Sequence, residues 1–415
     1  YTTMRYHSTH VSLENDEPLP EENGIQFQEP ENPFLDTLTN ETPEAQTPEQ
    51  IEVAIVEDAS EVVEAVSVVE DVTVAVESLE AIALHLSQLK DKGKAVSVEG
   101  VALLNISVEN AVRKFPAFKK TTTVDSLENF TINPADATTV SLENIGDKIK
   151  AGYEAVVKFL KDLWEKFKAF LGNILSGAAI AEKAARKNME DVKTANTSKR
   201  AEGDITIPAI LNNPVLTKAT IDNLTKVVGS IGMVSYRDVV ANFEKLQARE
   251  NVPIEFVKDA LNKVFDAYGR MSEDAYLGNL SFNNDQFPPT ITMLESSTRQ
   301  AKPLTIAQVK EFTAANILLC GAISQLKKTL AERSKAISQL AAQIELVARR
   351  LNKTGDDENI KADSQITPAE VMTYLRTASQ LLNKVNVFET KILGRAVQAA
   401  NAINKVCADS IKAYG

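Results

Sequence analysis

A four-residue word, Ser-Leu-Glu-Asn, stands three times in the sequence, at Ser12-Leu13-Glu14-Asn15, Ser126-Leu127-Glu128-Asn129 and Ser141-Leu142-Glu143-Asn144. Close variants are Ser107-Val108-Glu109-Asn110, Ser97-Val98-Glu99-Gly100 and Ser78-Leu79-Glu80. A small residue, any residue and then Glu arises several times by chance in such a composition. The full word is expected on the order of 0.01 times, so three copies need a cause. All of them lie before residue 145, and their spacing fits no structural repeat unit. Two chemistries suit the word. As a helix N-cap, Ser accepts a backbone N–H bond while Glu in the first turn meets the positive helix end. That fits Ser141 and Ser107 but explains Ser12 poorly, because a Pro-rich tract follows it. As a recognition word, it suits a protease that cuts after Glu in extended, exposed chain, where proteases bind. The two readings coexist at Ser141.

Other site chemistry is sparse. His7, His10 and His85 are the only histidines, so residues 144–415 have no imidazole for acid/base work or metal ligation. Cys320 and Cys407 are too few for a disulfide framework or a thiolate metal site and read as buried small hydrophobes. The stretch Gly229-Ser-Ile-Gly-Met-Val-Ser-Tyr-Arg-Asp238 lacks the spacing and the Lys-Ser/Thr ending of a phosphate loop. The expectation is a non-enzyme with no cofactor and no metal. No apolar run is expected to span a membrane, and no signal-peptide pattern opens the sequence as given.

The elements that position the words follow from texture. Residues 14–50 hold six prolines among Glu, Asn and Thr and predict a disordered acidic arm over 1–50. Val and Glu then alternate from Ile51 without Pro or Gly for about 40 residues, far beyond strand length, which predicts one long helix ending near Gly93. A short helix over 107–114 precedes a loop-like stretch with Pro116, Pro134 and a Thr cluster, which places the second and third words in a linker. After it, Ile145, Ile149, Val156, Leu160, Leu163, Phe167, Phe170 and Ile174 recur at three- and four-residue steps. They form one apolar helix face, with Trp164 beside it and lysines flanking it. An Ala-rich polar stretch follows over 176–203. Shorter helices are expected over 217–229, 235–249 and 253–269, and a loop over 278–304. Two long helices close the chain over 305–351 and 367–413. Thr305 with Gln308 forms a capping box, as does Thr367-Pro368 with Glu370. The first helix carries Leu326, Leu330, Ile337, Leu340, Ile344, Val347 and Leu351 in heptad register, and the second runs through Leu382, Val385, Ile392, Ile403 and Val406.

Charge divides the chain in the same place as the words. The net −12 hides 20 acidic groups and one basic group over residues 1–80, and seven of each over 81–143. Residues 144–415 carry 37 basic against 30 acidic groups, a net of +7. An acidic polypeptide is therefore joined to a mildly basic one.

Small-X-Glu resembles the cleavage pattern of prohead proteases in phiKZ-like giant phages, and the order of parts is similar to that of phiKZ-like internal head proteins. The residues that carry the resemblance are Ser141-Leu142-Glu143 and the Lys- and aromatic-rich helix after it, about 40 residues in all. The resemblance implies a structural protein of the virion, made in the host cytoplasm and packed inside the capsid with other capsid and inner-head proteins. It implies an acidic propeptide (51–143, after the arm) removed by the prohead protease, and a mature domain over 144–415 led by the 144–175 helix. The predicted fold is all-α: a disordered acidic arm, then a helical body with a long C-terminal antiparallel helical hairpin. A +7 body permits weak, sequence-independent contact with packaged DNA, and heptad helices permit self-association. A competing reading makes Val156, Leu160, Leu163, Trp164, Phe167, Phe170 and Ile174 the face of a membrane-active helix of an ejected virion protein. Glu154, Asp162 and Glu165 on the same helix oppose attraction to anionic lipid.

Overall fold

The structure is a computed structural model. It describes residues 47–93, 96–112, 134–195, 203–211, 217–247, 255–256, 259–260, 262–264, 280–283, 290–293, 297–353 and 368–414. Residues 1–46 of the expected acidic arm, the words at Ser12 and Ser126, and the connector between the terminal helices lie outside these residues, whereas residues 47–50, expected in the arm, form the cap and first turn of a helix. Thr42–Gly415 forms one compact unit.

The Val/Glu segment is helix α1 (Pro48–Asp91). Thr47 caps it, accepting from the Gln50 N–H at 3.3 Å while its own N–H donates to Gln50 Oε1 at 2.9 Å. It stops at Lys92 and Gly93, whose φ of 61° is left-handed and suits glycine. Helix α2 (Val98–Val112) follows and is longer than the sequence indicates.

Helix α3 (Pro134–Thr194) corrects the linker expectation over 134–143, which is helical, and it also takes in 176–194 of the Ala-rich stretch; residues 115–133 lie outside the described set. Proline fits the first turn of a helix, where its missing N–H costs nothing. The apolar face then extends backward through Ala137, Thr138 and Ser141, and forward through Ala178, Ala181 and Ala185, all buried. Small and β-branched residues concealed these ends, since their periodicity is faint beside that of Leu and Phe. At 61 residues, α3 is about 90 Å long.

The middle of the chain supplies α4 (Lys218–Met233) and α5 (Arg237–Gln247). The expected loop over 278–304 contains strands instead. Strand β2 (Leu280–Asn283) pairs antiparallel with β3 (Thr290–Met293), setting Leu280 opposite Met293 and Phe282 opposite Ile291. Strand β1 (Ile205–Ile207) pairs with β4 (Arg299–Ala301), so the chain entering and leaving the middle segment is tied together.

The first terminal helix is divided at Leu326 into α6 (Ile306–Gln325) and α7 (Lys327–Lys353). Thr305 forms the expected capping box with Gln308. Helix α8 (Pro368–Lys412) completes the chain. Hydrogen bonds Leu304–Ser410 and Asn316–Asn404, and the ion pair Arg333–Glu389, show that α6–α7 and α8 run antiparallel. The hairpin is therefore as expected. Leu326, Leu330, Ile337, Leu340, Val385, Ile392, Ile403 and Val406 are buried; the side chains of Ile344, Val347, Leu351 and Leu382 lie outside the described set. Ile306–Gln343 is, contrary to expectation, long and apolar enough by length and composition to cross a membrane. Here it is a core segment, with Val309, Phe312, Leu319, Cys320 and Ile323 buried.

Helices α3 and α8 form the central pair. Tyr153 meets Arg376, Gly177 meets Val397 and Ala181 meets Asn404, so both residue numbers rise together and the two helices are parallel. Helix α1 and the α6–α7 arm each pack against both members of this pair.

Candidate processing site and the arm–body interface

Helix α1 docks antiparallel on α3, and its apolar face does most of the holding. Ile51, Ile55, Val62, Val66, Val69, Val72, Val76, Leu79 and Leu86 are all at most 4% exposed. Each such side chain contributes about 1.5–3 kcal/mol relative to exposure. At Gly177 of α3 the side chains of α1 and α8 close over the backbone. A Cβ there would stand 2.8 Å from Val397 Cγ1 of α8 and 3.0 Å from Ile51 Cγ2 of α1.

Polar pairs fix the register of this docking. Asn173 Nδ2 donates to Asp58 at 2.6 Å, and Asn401 Nδ2 donates to Glu52 at 2.9 Å. Lys166 stands 3.8 Å from Glu61. At the other end, Arg376 of α8 pairs with Glu80 and lies 3.7 Å from Glu77. Tyr153 donates its hydroxyl to Glu80 and accepts from Arg376 Nη2 at 3.2 Å. Burial raises the Tyr153 phenol well above its usual range, with the Glu77 charge adding to the effect. Burial likewise raises the Asp58 carboxyl, while the Asn173 bond pulls it back. A half-exposed pair such as Lys166–Glu61 contributes about 0–1 kcal/mol, and apolar burial dominates. The acidic helix is thus an integral layer of the fold. Sequence reasoning missed these contacts, because Arg376 and Tyr153 carry no local mark of their distant partners.

The third word, Ser141 to Asn144, lies inside α3 rather than in a loop or at an N-cap. Ser141 is fully buried, Leu142 and Asn144 are half-buried, and Glu143 faces solvent. The capping expectation at Ser141 fails because the helix begins seven residues earlier. Ser107 is not a cap either; it sits within α2 and donates to the Leu103 carbonyl at 2.8 Å. Ser78 likewise donates to the Val74 carbonyl at 2.9 Å. The variant that does cap is Ser97, which accepts from the Gly100 N–H at 3.1 Å at the start of α2. Capping therefore accounts for one variant and for no described copy of the full word.

The candidate amphipathic face lies within the fold. Val156, Leu160, Leu163, Trp164, Phe167, Phe170 and Ile174 are each at most 6% exposed. Trp164 and Phe167 have ring centroids 5.8 Å apart, and Phe167 stacks with Phe170 at 6.0 Å. Against them sits Arg333 of α7, its guanidinium 5.5 Å from the Phe167 ring and 5.1 Å from the Tyr236 ring. Both it and its ion-pair partner Glu389 of α8 are fully buried. A second polar core lies further along: Asn316 donates to the Ala400 carbonyl and to Asn404 Oδ1, both at 2.9 Å. Asn404 donates to the Ala181 carbonyl at 2.7 Å, and Asn188 to the Asn404 carbonyl at 3.0 Å.

Reactive groups are muted among the described residues. Burial pushes the Cys320 thiol up to about 12, with Glu182 adding to it, and the Cys407 thiol up to about 11. Neither forms a thiolate readily near neutral pH. His85 is exposed on α1. Among the described residues no group of three or more His, Cys, Asp or Glu is placed to hold a metal ion.

A family model of phiKZ-like phage internal head proteins matches residues 47–409. No curated protein and no solved structure matches. The match begins at the cap of α1 and ends within the last turn of α8, so it takes in the acidic layer as well as the basic body. This predominantly helical chain, packed on its own acidic N-terminal helix and matched over residues 47–409, belongs to the phiKZ-like phage internal head proteins.

Proposed function

We propose that this internal head protein is made as a precursor and cut after Glu143 by a prohead protease. Residues 144–415 would then remain inside the capsid beside the packaged DNA. The observation that carries the proposal is a coincidence of position. The last Ser-Leu-Glu-Asn copy ends where the neutral stretch gives way to the basic body. Removing everything before Asn144 converts a chain of net −12 into one of net +7. Such a body would contact phosphates weakly, without reading sequence and with steep salt dependence.

The geometry adds two conditions. A protease that binds extended chain reaches Glu143 only when the start of α3 unwinds, because Ser141 is buried within a helix. Helix ends open locally at a lower free energy than the whole fold. Cutting the chain also does not by itself release α1, which is held by its apolar face. Departure of the acidic part would need a further step, such as additional cleavage or local unfolding.

Incubating the full chain with the matching prohead protease tests the proposal. The expected product begins at Asn144; a chain left intact between Glu143 and Asn144 counts against it. Membrane action by the 145–175 helix is the weaker reading, because that helix already spends its apolar face inside the fold.

A further inference from the structure

Helix α1 carries a second apolar stripe that no described element covers. Val53, Val56, Val63, Val74 and Leu84 are 40–61% exposed. They follow one another at steps of 3, 7, 11 and 10 residues, all sums of three and four, so they lie along one side of the helix. Their side is distinct from the one that Ile51, Ile55, Val62, Val69 and Val76 bury. Ser60, Ser67 and Glu70 occupy the intervening positions, which makes the stripe a series of shallow steps rather than a continuous seam. It exposes on the order of a few hundred Å² of apolar surface, the size at which a patch is often functional.

Its charge selects the partner. From Glu49 to Glu80 the helix holds ten carboxylates and no Lys or Arg. Glu57, Glu64 and Asp71 recur every seven residues directly beside the stripe and face solvent. In paired helices, residues at such flanking positions set partner choice by charge. Two copies of α1 laid together would set carboxylate against carboxylate, which disfavours a homodimer through this face.

We propose that the outer stripe of α1 docks an amphipathic helix of another protein whose apolar seam is flanked by Lys and Arg. The surface is present in the intact chain, so the inference stands apart from the processing proposal.

The test uses the full chain and two synthetic four-heptad peptides with Leu at the seam, one flanked by Lys and one by Glu. Titration should show the Lys-flanked peptide binding, and binding should weaken as salt rises. Val56→Ser, Val63→Ser and Val74→Ser together should cut the affinity at least tenfold. Val53→Ser with Leu84→Ser should weaken it less, because those positions lie at the ends of the stripe. All five positions are exposed, so far-UV circular dichroism should match the parent. Equal affinity for the two peptides, or affinity unmoved by the triple substitution, would overturn the proposal. So would a dimer of the free chain that the triple substitution abolishes, because the occupant would then be a second copy.

Discussion

Arg333 and Glu389 show how a charge can take a core position. Arg333 falls on the three- and four-residue beat between Leu330 and Ile337, and Glu389 on the beat between Val385 and Ile392. Both are fully buried, paired with each other, with Phe167 and Tyr236 rings near the guanidinium. Removing one partner leaves a buried charge alone. Arg333→Met should therefore destabilise the fold by about 3–5 kcal/mol. Replacing both residues by Met should recover most of that loss, and chemical denaturation measures each. Asp58 gives a pH-dependent counterpart. Burial raises its folded pKa above the ordinary 3.8, so ionised Asp58 opposes docking of α1 at neutral pH. That opposition fades as pH falls through the folded pKa and is gone below 3.8, where folded and unfolded states are both protonated. Asp58→Asn should thus raise the melting temperature at pH 7 and leave it nearly unchanged at pH 3.5. Asn can still accept the Asn173 hydrogen bond.

At the scale of elements, the fold was most legible where large apolar residues recur. The central part of α3, the end of α1 at Gly93 and the capping box at Thr305 are each explicit in the residues. The concealed parts share a cause. Ala137, Thr138 and Ser141 at one end of α3, and Ala178, Ala181 and Ala185 at the other, are small residues that let neighbouring backbones approach. They leave a faint hydrophobic signal. The break at Leu326 has neither Gly nor Pro to announce it. In the site, Arg333 and Glu389 stand within the apolar beat of their helices, but nothing local marks their pairing, which is long-range. The helical setting of Glu143 carries its own prediction. Leu142→Gly lowers local helix stability by about 1 kcal/mol, which increases the open population roughly fivefold. Cleavage after Glu143 should accelerate by a similar factor, while global stability falls by the same ~1 kcal/mol. A rate indifferent to the substitution would show that unwinding of α3 does not limit the cut.

Over the whole molecule, charge and packing pull the acidic segment in two directions. Its composition sets it apart from the basic body, and its apolar face binds it to that body. The mature protein proposed here differs in sign from the intact chain, and the family match spans both parts. If the chain is cut after Glu143, the capsid holds the body without the acidic part. Quantitative mass spectrometry of purified particles measures this directly. The expected protein has Asn144 as its first residue, with peptides from residues 15–128 depleted relative to those from 200–415. Equal abundance of the two sets, with peptides crossing Glu143–Asn144 intact, would contradict it.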